Sequence, residues 1–147
     1  MGTLFEAGDR EAILGRLSRL RPDARPKWGS FTPSEMVCHV TSGIRQGLSE
    51  VDLGEPRGPL ARWPLNWLLI HVIPFPRNAP AAPEMLGRPS AGWPEDLEIL
   101  RRSIERFGAR GPGGTWPPSR VFGRISGSSW GVLQYKHLDH HLRQFGL

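Results

Sequence analysis

Apolar residues recur along most of this chain at spacings of three and four, the mark of helices with one buried face, and almost nowhere alternate as strands require. Ile13, Leu14, Leu17 and Leu20 mark a first helix over Asp9 to Leu20, with Asp9 as its N-cap. Arg21 to Ser30 holds Pro22, Pro26 and Gly29 and reads as a loop. Thr32-Pro33-Ser34-Glu35 then combines a capping hydroxyl, a proline at the first helical position and a glutamate at the third. The helix it opens extends to about Glu50 and lines up Met36, His39, Val40, Gly43 and Gly47 on one stripe.

Gly54 to Pro59 interrupts the pattern, and the apolar, tryptophan-bearing stretch Leu60 to Ile73 predicts a third helix in spite of Pro64. Pro74 to Gly92 shows little periodicity and is punctuated by Pro74, Pro76, Pro80, Pro83 and Pro89. A loop of that length is uncommon in a compact domain unless it covers something. Trp93-Pro94-Glu95-Asp96 opens a fourth helix carrying Leu97, Leu100, Ile104 and Phe107 in register, with Gly108 as its stop. Beyond the Gly/Pro-rich stretch from Arg110 to Pro118, a last helix begins near Ser126 to Ser129 and carries Trp130, Leu133, His137, His141 and Gln144 at steps of three or four. The elements together predict an all-α bundle with a Pro-rich surface loop, residues 1–147 forming a single domain.

A chain of 147 residues can bury a proper core without staples. Its net charge of +5 raises nucleic acid as a partner, but the arginines are dispersed rather than clustered, which favours a solvated basic face. The single cysteine, Cys38, excludes an intrachain disulfide and every multi-cysteine zinc motif. It fits a reducing, cytoplasmic setting and reads as a buried, inert thiol. Met1 to Glu6 has no basic region followed by an apolar run, so no secretory signal is expected. The longest apolar stretch, Trp63 to Phe75, falls short of the roughly 20 residues of a membrane span. Its Trp63, Trp67 and Phe75 read as core or as a dimer interface.

Candidate chemistry concentrates at the end of the chain. Of five histidines, three lie in His137-Leu138-Asp139-His140-His141. Positions i and i+4 share a helix face, so His137 and His141 can aim at a common point. Two imidazoles do not close a metal site, and the third partner is His39 if its helix packs on the last one. Helical bundles place metal ligands in this way, on facing inner stripes. The bland alternative is that His39 is a hydrogen-bonded core residue. His71 has no partner at useful spacing and reads as structural. His140 lies about 100° off the ligand stripe and Gln144 one turn beyond it, both placed to support the ligands from behind. A metalloprotease needs His-Glu-x-x-His, and Leu138 after His137 removes that base. Gly111 to Gly114 has no strand before it and no Gly-Lys-Ser/Thr after it, so it is not a phosphate loop.

Met36-x-x-His39, together with Trp130-Gly131 leading into Tyr135-x-His137-Leu138-Asp139-His140-His141-Leu142-Arg143-Gln144-Phe145-Gly146, resembles the DinB-like superfamily, and more narrowly a branch of small bacterial DinB-related proteins. Ala12 to Leu20, Trp28-Gly29 and Pro74-Phe75-Pro76-Arg77 extend the resemblance over nearly the whole chain. It implies a DinB-like four-helix bundle with a long crossover connection, commonly a homodimer, holding a divalent metal on three histidines. Carried over by position, those ligands are His39, His137 and His141. Many metal-binding members follow the last ligand with Arg-Gly-Gln, where this chain has Leu142-Arg143-Gln144.

Three imidazoles leave a fourth position open, the arrangement of a catalytic site, and zinc or nickel suits such ligands. The resemblance implies a metal-dependent hydrolase, or an S-transferase using a low-molecular-weight thiol cosubstrate whose anionic groups would suit a basic protein. The nearest carboxylates are Asp139 and Glu35, with Asp139 expected to face away from the pocket. The competing expectation is a non-catalytic helical bundle for binding or dimerisation, with no functional metal.

Overall fold

In the computed structural model, which describes residues 1–81 and 83–147, five α-helices follow one another: α1 (Ala7–Leu17), α2 (Pro33–Gly47), α3 (Leu65–His71), α4 (Trp93–Arg110) and α5 (Gly127–Gln144). Single 3-10 turns occupy Pro59–Ala61 and Pro83–Met85. The described residues form no strand, only an isolated bridge between Ser119 and Gly123.

Side-chain caps start the two helices that carry the candidate ligands. Thr32 Oγ1 accepts from the Glu35 N–H at 3.2 Å and Glu35 Oε2 accepts from the Thr32 N–H at 2.8 Å, with Pro33 opening α2. Ser126 Oγ accepts from the Ser129 N–H at 3.1 Å at the head of α5. Both starts agree with the sequence pattern.

Other boundaries differ from it: α1 ends at Leu17 rather than Leu20, and α2 at Gly47 rather than about Glu50. The cap of α1 is Glu6, not Asp9, because the Asp9 carboxylate is engaged in accepting from the Thr3 N–H at 2.8 Å. The stretch Leu60 to Ile73 is not one helix: Pro64 sits at the cap of α3 and leaves only a 3-10 turn before it. Helix α4 runs through Gly108 and stops at Gly111, whose φ of +69° supplies the left-handed turn.

Helix α2 packs along α4 and against α5, while α1 packs on the same two helices from the other side, so four helices close a ring; α3 lies on α5. The core this encloses includes Ile13, Leu17, Met36, Ile44, Leu100, Ile104, Phe107, Trp130, Leu138 and Leu142. Burying a side chain such as Phe107 contributes about 1.5–3 kcal/mol. Gly47 lets the helices approach, since a Cβ there would stand 2.9 Å from Phe107 and 3.1 Å from Trp130.

The long connection between α3 and α4 is docked rather than loose. Gly87, at φ +97°, lies so close to α2 that a Cβ would meet the Cys38 carbonyl at 2.5 Å. The fully buried Asp96 accepts from the Arg88 guanidinium at 2.7 Å, from the Ala91 N–H at 3.0 Å and from Ser90 Oγ. Burial pushes this carboxyl up, and those donors outweigh it, so its pKa falls below the usual value. Cys38 is buried as expected, and desolvation raises its thiol pKa, which disfavours a reactive thiolate.

The tryptophans of this segment do not belong to the core: Trp63 is 79% exposed and Trp67 49%, as are in part Leu65, Val72 and Ile73. Ile70, fully buried, turns in, and so does Phe75, which stacks on Phe122 at 6.1 Å. Among the described residues no helix is long and apolar enough to cross a membrane.

Candidate metal centre

His39 stands on the inner stripe of α2, His137 and His141 on that of α5, and the pairing of these helices brings the three together. One ring nitrogen from each lies within 4.8 Å of the other two. The Nε2 atoms of His39 and His137 are 3.0 Å apart, and the ring centroids of the trio are separated by 4.8 to 5.1 Å. Tetrahedral zinc on imidazole nitrogens at about 2.0–2.1 Å sets those nitrogens about 3.3 Å apart. The observed spread brackets that value.

Two of the three outer nitrogens are held as a ligand set requires. His39 Nδ1–H donates to the Met85 carbonyl, which the docked loop delivers, and this leaves the Nε2 lone pair free. His141 Nδ1–H donates to Gln144 Oε1 at 2.8 Å, while Gln144 Nε2 donates to the Trp28 carbonyl at 2.9 Å. His137 has Gln134 beside it: a Cβ built on Gly43 would lie 3.2 Å from Gln134 Oε1 and 3.4 Å from His137 Nδ1. Gln134 Oε1 is buried and without a hydrogen-bond partner among the described residues. Donor chemistry and spacing fit a divalent transition metal, and Gly43 leaves room for the His137 ring and Gln134.

Electrostatics keeps the trio neutral. Burial lowers the His39 pKa, partly offset by the Met85 carbonyl. Burial and the facing imidazoles push His137 well below its ordinary value, and burial takes His141 down to about 3. Neutral imidazole is the form that binds metal.

The trio lies at the floor of a cavity of about 700 Å³, walled by α2, α5, the Trp28–Phe31 loop and the docked Pro-rich connection. The connection therefore covers something, as its length suggested: Phe75, Pro76 and Met85 close one side. Phe31 leans on His39 and His141 at 5.2 and 5.7 Å.

The structure does not gather the other candidates in the same way. His140 lines the cavity, edge-on to His141 at 5.2 Å and to Trp28 at 5.8 Å, rather than hydrogen-bonding a ligand imidazole; desolvation lowers its pKa. Gln144 supports His141 directly. His71 stays apart, paired with Ser129 Oγ at 3.0 Å. Asp139 faces away in ion pairs with Arg16 at 2.7 Å and Arg143 at 3.0 Å, and Glu35 is committed to its cap. Two residues carried no weight in the sequence reading: Gln134, although it precedes His137 by three on the ligand stripe, and Met85, whose backbone role leaves no sequence signal.

No family model matches the chain, and neither a curated protein nor a solved structure does.

Proposed function

We propose that this protein is a DinB-like four-helix-bundle enzyme that binds a divalent transition metal, zinc or nickel, on His39, His137 and His141 and acts as a hydrolase on a small molecule. One observation carries the reading: three neutral imidazoles from two helices converge within 4.8 Å at the floor of a cavity, with two outer nitrogens already anchored. The resemblance of the closing motif supports the superfamily. A metal ion on three imidazoles supplies Lewis acidity and lowers the pKa of water, leaving a position open for substrate.

The chain's own residues do the rest. Met85 and Gln144 fix ring orientation. The loop and Phe31 wall the space beside the trio. No carboxylate lines the cavity among the described residues, so proton transfer falls to imidazole, and His140 is the one lining it outside the trio. The thiol-transferase reading stays behind the hydrolase because an anionic cosubstrate would meet no lining cation here. A homodimer, implied by the resemblance, would use the exposed strip of Trp63, Leu65 and Trp67. The alternative of a bundle without functional metal predicts no metal uptake.

Metal analysis of the purified protein and of His141→Ala decides the reading. Near-stoichiometric zinc or nickel that drops sharply in the variant is expected. Absence of bound transition metal after reconstitution, or equal content in both proteins, overturns it.

A further inference from the structure

The wall above the histidines has a composition that narrows what can enter. Among the described residues that line the cavity there is no Asp, Glu, Lys or Arg. The chain carries 19 lysines and arginines, so their exclusion from a wall of this size is a property of the site. The cations around it stand outside the lining: Lys136 donates to the carbonyls of Leu69 and Ile73, Arg120 pairs with Glu84 at 2.6 Å, and Arg77 stacks at 4.4 Å over Trp28, where its charge still reaches His140. An anion moved against this wall would lose hydration and find no charged side chain in the lining to pair with.

The lining that remains is largely apolar, with Leu69, Phe75, Val121 and Phe122, and includes the carboxamides of Gln46 and Gln134. Gln134 is 3% exposed, and its Oε1 has no hydrogen-bond partner among the described residues. A buried acceptor left unpaired is destabilising, and a ligand donor would satisfy it.

We infer that the cavity takes an uncharged, predominantly apolar small molecule carrying one N–H or O–H donor for Gln134. This rests on the metal-site reading for its chemistry but not for its fit, since walls and trio are separate groups. It also separates the two reaction classes, because a thiol cosubstrate bearing carboxylates is disfavoured.

A matched pair of fluorescent probes tests it: N-phenyl-1-naphthylamine, which is neutral with one N–H, and 8-anilino-1-naphthalenesulfonate, which adds a sulfonate to the same frame. Both are titrated into the full chain, metal-free and zinc-loaded. The neutral probe is expected to bind one to one, at least tenfold tighter than the anion, and to lose at least tenfold in Val121→Trp, which fills the wall. Trp63→Ser on the exposed strip and Arg77→Gln at the rim should leave the preference intact. No uptake of the neutral probe, a preference below tenfold, or uptake abolished by Trp63→Ser but not by Val121→Trp overturns the inference. Zinc bound without probe leaves the metal reading standing and removes this one. Probe bound without zinc does the reverse.

Discussion

His141 and Gln144 form one unit: a single turn of α5 apart, they are joined by a 2.8 Å hydrogen bond from His141 Nδ1–H to Gln144 Oε1, and the other end of the carboxamide is fastened to the Trp28 carbonyl. The bond fixes the tautomer that leaves the opposite nitrogen free. Outer partners of this kind are worth about 10–100-fold in metal affinity. Gln144→Leu should therefore weaken zinc binding by about that factor while far-UV circular dichroism stays unchanged. Unaltered zinc affinity in a competition titration would show that the carboxamide does not orient the ring.

Gly87 plays the corresponding part for His39, at a distance. Its φ of +97° and its approach to the Cys38 carbonyl let the loop lie on α2 and deliver the Met85 carbonyl to His39. Gly87→Ala should strain that contact by about 1–3 kcal/mol. The expected result is faster amide exchange across residues 83–92 together with weaker zinc binding. Faster exchange with wild-type zinc affinity would mean that the loop covers the site without positioning His39.

The sequence pattern reaches far into this fold because capping and periodicity are local. Thr32, Glu35 and Ser126 act within one turn, so α2 and α5 begin where their side chains dictate. The i, i+4 rule places His137 and His141 correctly for the same reason. Some boundaries escape the pattern although their causes are local, because two local signals compete: Asp9 is drawn from its capping role by Thr3, Pro64 divides an apolar stretch that reads as continuous, and Gly108 is a helix interior because Gly111 takes the terminal conformation. What depends on tertiary contact was not legible at all. The site divides likewise. His39 could be named as a partner but not shown to converge, and Met85 acts through a carbonyl that every residue possesses.

The neutral trio makes stability depend on pH with a defined sign. His141, near 3 in the folded chain, titrates at about 6.5 when unfolded. Its folded pKa is the lower, so between those values the unfolded state binds the proton and the folded state refuses it. Stability is therefore full above about pH 6.5 and declines as pH falls, by about 1.4 kcal/mol per unit for each such histidine. In metal-free protein the urea midpoint should hold from about pH 8 to 7 and drop from 6 to 4.5, with a shallower drop in His141→Phe. An identical slope in the variant would remove this residue as the cause.

Metal removal has a size that can be stated in advance. A ligand that binds only the folded chain stabilises it by RT ln(1 + [L]/Kd), about 2.7 kcal/mol at a hundredfold excess over Kd. For a domain near 150 residues each kcal/mol moves Tm by about 2–4 °C, so zinc at that excess should raise Tm by about 5–11 °C. Calorimetry on reconstituted protein before and after chelation with EDTA reads the shift, and His39→Ala, His137→Ala and His141→Ala should each abolish most of it. The three variants must act alike, because the ion needs all three nitrogens at once. A shift retained in the His39 variant alone would mean that α5 binds the ion by itself and that the approach of α2 contributes nothing to the site.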